Sequence, residues 1–380
     1  MYRVKLLDLV DISGSSVSNF NGERYYLSTG ALNQNKIENL EKVTYLNKPS
    51  RANLNVDLGE IIFAKMKNTD KCLVIDEKNK DLIVSTGFYS LRPQKNVLSK
   101  FIYYFCRSNV FHSQKDKYST GATMQGLTNP GLKKIYINQY NMETQQKIVE
   151  ELDLLNEIIE KQKKQLKEYD NLVKSQFIEM FGEKSFTLSK LKNIARKIGS
   201  GSTPLGGNSA YKDKGIPLIR SMNVYDNYFK YNELAFLNDN QANKLNNVIV
   251  EKEDIIFNIT GASICRACIV PIELTPARVN QHVSIIRADK NKINPCYLLH
   301  LLINPKYKAE LYQESISSGA TREALTKKQL ENFEIPVPPL PLQNQFAEFV
   351  KHIDKLKFSV EEQLKETQNL LNSRTQKYFG

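Results

Sequence analysis

The feature that most constrains this chain is a stretch of 64 residues that occurs twice without a gap. Residues 119–182 match residues 317–380 at a constant separation of 198, as the glutamines Gln145 and Gln343 and the glycines Gly182 and Gly380 illustrate. A match of this length that needs no insertion indicates a duplication. The sequence therefore predicts an internal repeat and a pseudo-two-fold molecule.

Each copy of the repeat continues into a long helical pattern in which apolar side chains alternate in steps of four and three. The predicted seam consists of Ile148, Leu152, Leu155, Ile159, Leu166 and Val173 in the first copy and of Phe346, Val350, Ile353, Val360, Leu364 and Leu371 in the second. Such a seam is typical of a coiled coil, and a helix with one narrow apolar stripe needs a partner. We predict that the two helices pair antiparallel within the chain. The alternatives are helices packed separately on their own domains, or pairing between two copies of the chain.

The segments between the helices are also related. Residues 60–63 match residues 254–257, and residues 84–92 match residues 279–287. Short β-rich runs broken by Asn, Asp, Gly and Pro, each followed by a helical run, predict compact α+β domains. The predicted boundaries are a first globular domain at 1–141, a central helix at 142–182, a second globular domain at 183–339 and a C-terminal helix at 340–380. The strands repeat more faithfully than the loops, which suits two modules that read different targets.

Charge points to an anionic partner. The 380 residues include 53 Lys and Arg against 41 Asp and Glu, a net charge of +12 and a pI near 9.2. Nucleic acid is the commonest partner of so basic a chain, although a Lys-rich composition typical of AT-rich genomes is the alternative. No apolar run is long enough for a membrane span, the N-terminus lacks signal-peptide features, and five scattered cysteines do not suggest disulfides. We expect a cytoplasmic protein.

Several motifs in fixed order resemble those of the specificity subunit of type I DNA restriction–modification systems, and the resemblance covers the whole chain. The motifs are Gly199–Pro204, Gly215–Asn223, Glu253–Phe257, Ser318–Thr321 and the Pro-rich Ile335–Gln343. The resemblance implies two target-recognition domains that each read one half of a split, asymmetric DNA site. It also implies that the helix pair sets the half-site separation and docks methyltransferase subunits. The first domain departs from the pattern, with Ser13–Val17 in place of the Gly199–Pro204 motif.

The loops of both domains supply candidate DNA contacts. Hydroxyl groups and loop N–H groups suit phosphates, Arg reads guanine, and Asn and Gln read adenine. The predicted residues are Arg51, Asn53, Lys65, Lys67, Ser85 and Thr86 in the first domain and Ser200, Gly201, Thr203, Arg220, Ser221, Asn223, Thr260, Arg266, Arg278, Asn280, Gln281 and His282 in the second. The alternative for each is a plain turn or a solvated loop.

The sequence offers no catalytic or metal-binding constellation. The loop at Gly199–Pro204 breaks the dinucleotide-binding glycine pattern, and Cys265 and Cys268 form a lone CxxC that is better explained by buried cysteines than by zinc. We expect a non-catalytic subunit with no cofactor or metal of its own, whose partners are double-stranded DNA, two methyltransferase subunits and, where present, restriction subunits. AdoMet, ATP and Mg²⁺ are expected on those partners. The competing hypotheses are a two-headed coiled-coil adaptor that binds DNA only non-specifically, and a nuclease or methyltransferase that acts alone.

Overall fold

The structure is a computed structural model that describes residues 2–123, 125–182, 184–203, 206–316 and 323–380. Two parts of the motifs quoted above, Pro204 and Ser318–Thr321, lie outside the described residues. No helix in the described ranges is long and apolar enough to cross a membrane.

The first half of the chain is rich in short strands and ends in a long helix. Its strands are β1 (Tyr2–Lys5), β2 (Val10–Ser13), β3 (Arg24–Leu27), β4 (Leu32–Asn33), β5 (Lys36–Ile37), β6 (Glu41–Val43), β7 (Ala52–Asn55), β8 (Ile61–Ala64), β9 (Cys72–Val74), β10 (Ile83–Ser85), β11 (Phe88–Pro93), β12 (Ser119–Thr120), β13 (Gly126–Leu127) and β14 (Tyr136–Gln139). Its helices are α1 (Ser99–Arg107), α2 (Asn109–Lys117), α3 (Asn129–Leu132) and α4 (Met142–Phe181).

The second half has the same plan. Its strands are β15 (Leu188–Lys190), β16 (Ala195–Ser200), β17 (Ile216–Ile219), β18 (Val224–Tyr225), β19 (Tyr228–Phe229), β20 (Ala235–Leu237), β21 (Ile255–Asn258), β22 (Ala267–Ile269), β23 (Arg278–Val279), β24 (Val283–Ala288) and β25 (Glu334–Pro336). Its helices are α5 (Leu191–Ile194), α6 (Asp239–Asn243), α7 (Pro295–Leu302), α8 (Pro305–Ile316), α9 (Lys327–Asn332) and α10 (Leu340–Phe379).

The chain divides into two compact units. The first unit comprises Met1–Leu166 and Ser359–Gly380, and the second unit comprises Lys167–Phe358. Each unit therefore contains one globular domain, part of α4 and part of α10. The domain boundaries given above for the four segments stay a prediction.

The two units repeat one sheet topology. An antiparallel sheet has the order β2-β11-β8-β9 in the first unit and β16-β24-β21-β22 in the second. A further sheet contains a parallel pair, β3 with β10 and β17 with β23. Tyr26 faces Ile83 in the first pair, and Leu218 faces Arg278 in the second. Since 83 and 278 are 195 apart, the register of the strands agrees with the spacing found between residues 84–92 and 279–287.

The central strand of each unit is buried on both faces. In β8, Ile61 and Phe63 face the core shared with α1, whereas Ile62 faces a second apolar layer. In β21, Ile255 and Ile256 face two layers in the same way. Side chains alternate across a strand, so a strand between two layers must be apolar throughout. This explains the continuous apolar runs.

The predicted helix pairing is confirmed within each unit. In the first unit Ile148 and Leu152 share a core with Phe379, and in the second Val173 shares a core with Val350. In the first unit the N-terminal part of α4 thus packs with the C-terminal part of α10. In the second unit the C-terminal part of α4 packs with the N-terminal part of α10, so the helices run antiparallel. The predicted seam positions are all buried or half-buried.

Two cations interrupt the seam of α10, and each meets an acid on α4. Lys357 lies 2.6 Å from Asp170 in the second unit, and Arg374 lies 2.9 Å from Glu151 in the first. Opposite charges across the pair let these positions stay within the seam, and they favour this register.

The repeated glutamines fix each long helix to the domain of its own unit. The buried Gln145 accepts a hydrogen bond from the backbone N–H of Leu98 at 3.0 Å, and the buried Gln343 accepts one from that of Asn294 at 2.8 Å. These N–H groups lie at the starts of α1 and α7, where helical donors lack internal partners. The glutamines therefore join equivalent elements in the two units.

Candidate nucleic-acid interface

The loops that carry the candidate residues share one backbone arrangement in both units. The segment after the central strand lies between the turn that follows β10 or β23 and a segment near the end of the domain. In the first unit the N–H of Lys65 donates to Gly87 O at 2.9 Å and its carbonyl accepts from Leu127 N at 2.8 Å. In the second, Ile259 makes the same bonds with His282 and Leu325, at 3.0 and 2.8 Å. We call this arrangement the loop frame.

In each unit an ion pair joins the residue before the central strand, β8 or β21, to an arginine of the strand paired with it, β11 or β24, and sequence reasoning missed it. Arg92 lies 2.8 Å from Glu60, and Arg287 lies 2.8 Å from Asp254, with both carboxylates fully buried. The hydrogen bonds of Asp254, followed by its charge, raise the pKa of Arg287. The signal was present in the sequence, because each acid precedes an apolar run and each Arg ends the second matched segment, 84–92 or 279–287.

The first unit places cations on its loop frame. The Lys65 ammonium donates to Thr86 O at 2.8 Å and lies 4.4 Å from the centre of the Tyr89 ring. Lys67 donates to Gln125 Oε1 at 2.8 Å, and Thr86 N donates to Arg51 O at 2.9 Å. Partial burial lowers the pKa of Lys65. Four predicted residues, Arg51, Lys65, Lys67 and Thr86, are therefore neighbours.

Two other predicted residues of this unit hold local structure. Ser85 is buried, and its hydroxyl accepts from Gly87 N at 3.1 Å. Asn53 accepts from Val17 N at 3.3 Å. Their polar atoms bind protein rather than lying on the open surface.

The second unit places a chain of hydroxyl, amide and imidazole groups on its loop frame. The Thr203 hydroxyl contacts Gln281 Oε1. Gln281 Nε2 lies 3.1 Å from His282 Nε2, and His282 Nδ1 lies 2.6 Å from the Thr260 hydroxyl. Four predicted residues from three separate loops are thus joined in one hydrogen-bonded chain.

Position 201 in this site is a glycine because the backbone around it leaves no room for a side chain. Its N–H donates to Asn280 O at 3.1 Å, and a Cβ at this position would lie 1.8 Å from Val279 O. The absence of a side chain allows the loop that carries Thr203 to lie against the turn before Gln281. Ser200, just before it, is exposed.

The Arg220–Asn223 loop is held mainly by its own side chains. Asn223 is buried, accepts from Arg220 N at 3.1 Å and donates to Lys230 O at 2.9 Å. The Arg220 guanidinium contacts Glu233 O, and Ser221 O accepts from Asn258 Nδ2 at 2.9 Å.

Two further predicted residues of the second unit lie inside the domain. Arg278 is buried and donates to Ala242 O and Ala277 O at 3.1 Å each. The buried Asn280 accepts from His282 N at 3.1 Å. Both side chains therefore stabilise the interior of the second unit. Arg266 is half-buried and lies 4.7 Å from the Tyr225 ring centre.

Sequence reasoning did not single out Gln125 and Asn258, which also belong to these loops. Asn258 ends the central strand of the second unit and donates to the Ser263 hydroxyl at 3.1 Å. Its buried Oδ1 has no hydrogen-bond partner among the described residues. A polar residue directly after three buried apolar ones is a signal that would have identified it.

The two cysteines of the lone CxxC are buried thiols. Cys265 and Cys268 are both buried, as the sequence predicts, and burial raises the pKa of each to about 12. Across the described part of the chain, no group of three or more His, Cys, Asp or Glu side chains is arranged to hold a metal ion.

Comparison with known proteins identifies the class. The family model for the type I restriction modification DNA specificity domain matches residues 3–168 and 183–368. The chain belongs to this family, and its two matched regions correspond to the two repeated halves. The fold class predicted from the sequence, two α+β domains with a pair of long antiparallel helices, is confirmed.

Individual relatives carry the same name. The putative type I restriction enzyme MjaX specificity subunit of Methanocaldococcus jannaschii is 25% identical over 353 residues, which cover 83% of this chain and 77% of the relative. The StySPI specificity subunit of Salmonella potsdam is 21% identical over 304 residues, or 76% of this chain and 65% of the relative. Specificity subunits are the non-catalytic members of their systems, which agrees with the predicted role.

Solved structures share the fold. One chain, from work on complex assembly and conformational transition of the type I restriction–modification system, has a TM-score of 0.63 at 19% identity, covering 99% of this chain and 97% of its own. The type I restriction–modification system S subunit from M. genitalium has a TM-score of 0.56 at 15% identity, covering 100% and 96%.

Proposed function

We propose that this chain reads a bipartite, asymmetric DNA site, with one half-site for each globular domain. The observation that carries the proposal is the loop frame, which is the same in both units down to its hydrogen bonds but presents different side chains. One backbone arrangement with two sets of polar groups is what two readers of unlike sequences require. The net charge of +12 suits a polyanionic partner.

We also propose its partners and location. Relatives are specificity subunits of type I restriction enzymes, so we expect two adenine methyltransferase subunits, and restriction subunits where the system has them. AdoMet, ATP and Mg²⁺ then bind those subunits rather than this chain. We expect the chain to work in the cytoplasm, because the relatives come from Methanocaldococcus jannaschii and Salmonella potsdam, cells that have no nucleus.

Competition binding tests whether the chain recognises a sequence. We expect the full chain to prefer one duplex over random duplex by at least about 10³-fold, with a steep dependence on salt. Equal, weak binding to every duplex would contradict the proposal and favour the adaptor hypothesis. Activity of the purified chain alone with AdoMet or Mg²⁺ would favour an independent enzyme.

Methylome sequencing tests the two-part reading. The chain is expressed with the methyltransferase subunit of its own system, and the methylated motif is determined. Exchange of residues 1–141 for those of another family member should change one half of the motif, and exchange of residues 183–339 should change the other. A single continuous motif, or a change of both halves by one exchange, would refute the proposed division.

A further inference from the structure

Gln281 stands out among the exposed polar groups of the second unit because both ends of its side-chain amide are held. Its Oε1 contacts the Thr203 hydroxyl, and its Nε2 lies 3.1 Å from His282 Nε2. The side chain is nevertheless exposed. An exposed glutamine ordinarily samples many rotamers, so this one is ordered before any ligand arrives.

His282 is itself fixed, which determines what it does to Gln281. Its backbone N–H donates to Asn280 Oδ1 at 3.1 Å, and its carbonyl accepts from Ile259 N at 3.0 Å. Its Nδ1 lies 2.6 Å from the Thr260 hydroxyl. With the proton on Nδ1 and donated to Thr260, Nε2 is an acceptor and receives a hydrogen bond from Gln281 Nε2.

The remaining hydrogen-bonding capacity of Gln281 is then defined. A carboxamide has two acceptor sites on oxygen and two N–H donors. Thr203 occupies one acceptor site and His282 one donor, which leaves one acceptor and one donor for a ligand. Adenine presents the complement in the major groove, an N6 amino donor beside the N7 acceptor, whereas guanine presents two acceptors.

We infer that Gln281 reads an adenine in the major groove of the half-site bound by the second domain, and that Thr203, His282 and Thr260 position it. The inference rests on the proposed function and adds the base class to it. Other amides of this unit are less suited, since Asn223 and Asn280 are buried. In the first unit the equivalent position is Thr86, beside the Lys65 ammonium, so the inference concerns the second half-site alone.

Selection from a randomised duplex library, with the full chain as the binder, tests the inference. For the wild type we expect one half-site position at which adenine is preferred by about 5- to 150-fold. Gln281→Ala should bind all four bases alike at that position while every other position keeps its preference. Gln281→Glu, which is nearly isosteric, should lose adenine there and favour cytosine, whose N4 amino group a carboxylate accepts.

Positioning variants and a matched control complete the test. Thr260→Val and Thr203→Val should weaken the adenine preference at the same position without creating another. Gln313→Ala changes an exposed glutamine on α8 of the same unit and should leave the selected motif unchanged.

The possible failures are distinguishable. A wild type that selects no sequence contradicts the proposed function as a whole. A wild type that selects a motif which Gln281→Ala and Gln281→Glu leave unchanged overturns the inference about Gln281 and leaves the proposed function standing.

Discussion

The two loop frames differ in the chemistry they present rather than in their backbone. The first unit carries ammonium groups, with Lys65 over the ring of Tyr89 and Lys67 beside Gln125. The second unit carries amide, hydroxyl and imidazole groups around Gln281 and His282. An ammonium group that binds a phosphate does so at any sequence, whereas an ordered amide that reaches a base edge discriminates between bases. The duplication has thus kept one framework while the groups at its surface diverged.

Removal of the arginine that pairs with the buried carboxylate should have the largest effect, and a larger one in the second unit. Arg287→Leu leaves the Asp254 carboxylate buried without its partner, which costs about 3–5 kcal/mol of the free energy of unfolding. Arg92→Leu should cost less, since the Arg92 side chain is 55% exposed and that of Arg287 is 20% exposed. Urea unfolding, monitored by hydrogen exchange in peptides of each unit, measures the two costs in free energy of unfolding.

The exposed pair Lys147–Glu143 provides the control for this comparison, because both side chains are more than 70% exposed. Lys147→Ala should change the free energy of unfolding by less than about 1 kcal/mol. Equal costs for Arg92→Leu and Arg287→Leu would show that the two ion pairs do not differ as their exposure indicates.

Acid should weaken the second unit through His300. Burial, helped by the charge of Lys357, lowers the pKa of His300 to about 4, from about 6.5 when unfolded. The folded state favours the neutral imidazole, so the stability is complete above pH 6.5 and is lost as the pH falls toward 4. The loss reaches about 3 kcal/mol. Leu98 and Asn294, whose N–H groups bond to the repeated glutamines, are equivalent residues. Six residues after each lie Tyr104 in the first unit and His300 in the second, and Tyr104 carries no charge in this pH range.

Hydrogen exchange from pH 7 to pH 4.5 checks this prediction, with His300→Phe as the reference. The wild type should open faster than the variant in peptides of the second unit as the pH falls, with no difference between them in the first. A parallel response of both proteins at every pH would show that His300 is not the responsible group.

Loss of the repeated glutamines should have an intermediate effect. Gln145→Leu removes the hydrogen bonds that this side chain makes to the N–H of Leu98 and to the carbonyls of Asn96 and Tyr140, and Gln343→Leu removes those to the N–H of Asn294 and the carbonyl of Pro338. We expect costs of about 1–3 kcal/mol, larger for Gln145. Thermal unfolding measures them, with the exposed neighbour Gln146→Leu as control. A cost for Gln146→Leu as large as that for Gln145→Leu would contradict the assigned role.

The sequence predicts the architecture well because its signals are repeated and periodic. The constant spacing identifies the duplication, and the alternating apolar steps identify residues such as Leu152 and Val350 that are buried in the structure. The candidate interface is predicted only in part. Whether a loop side chain points outward depends on turn geometry that no periodicity encodes, so Arg278 and Asn223 lie inside the second unit although they are polar loop residues by pattern.

The smallest effect we expect separates phosphate binding from base reading. Lys65→Ile gives the first unit the residue that the second has at the equivalent position, Ile259. It should lower affinity about equally for all duplexes and reduce the slope of log affinity against log salt by about 0.9, the value for one phosphate contact. Gln281→Ala should change base preference and leave that slope unaltered.

Titrations at several salt concentrations measure affinity and slope for both variants, and Lys78→Ile, which replaces an exposed lysine of the first unit, is the control. Equal slope changes for Lys65→Ile and Lys78→Ile would mean that net charge, and not a contact made by Lys65, accounts for the effect.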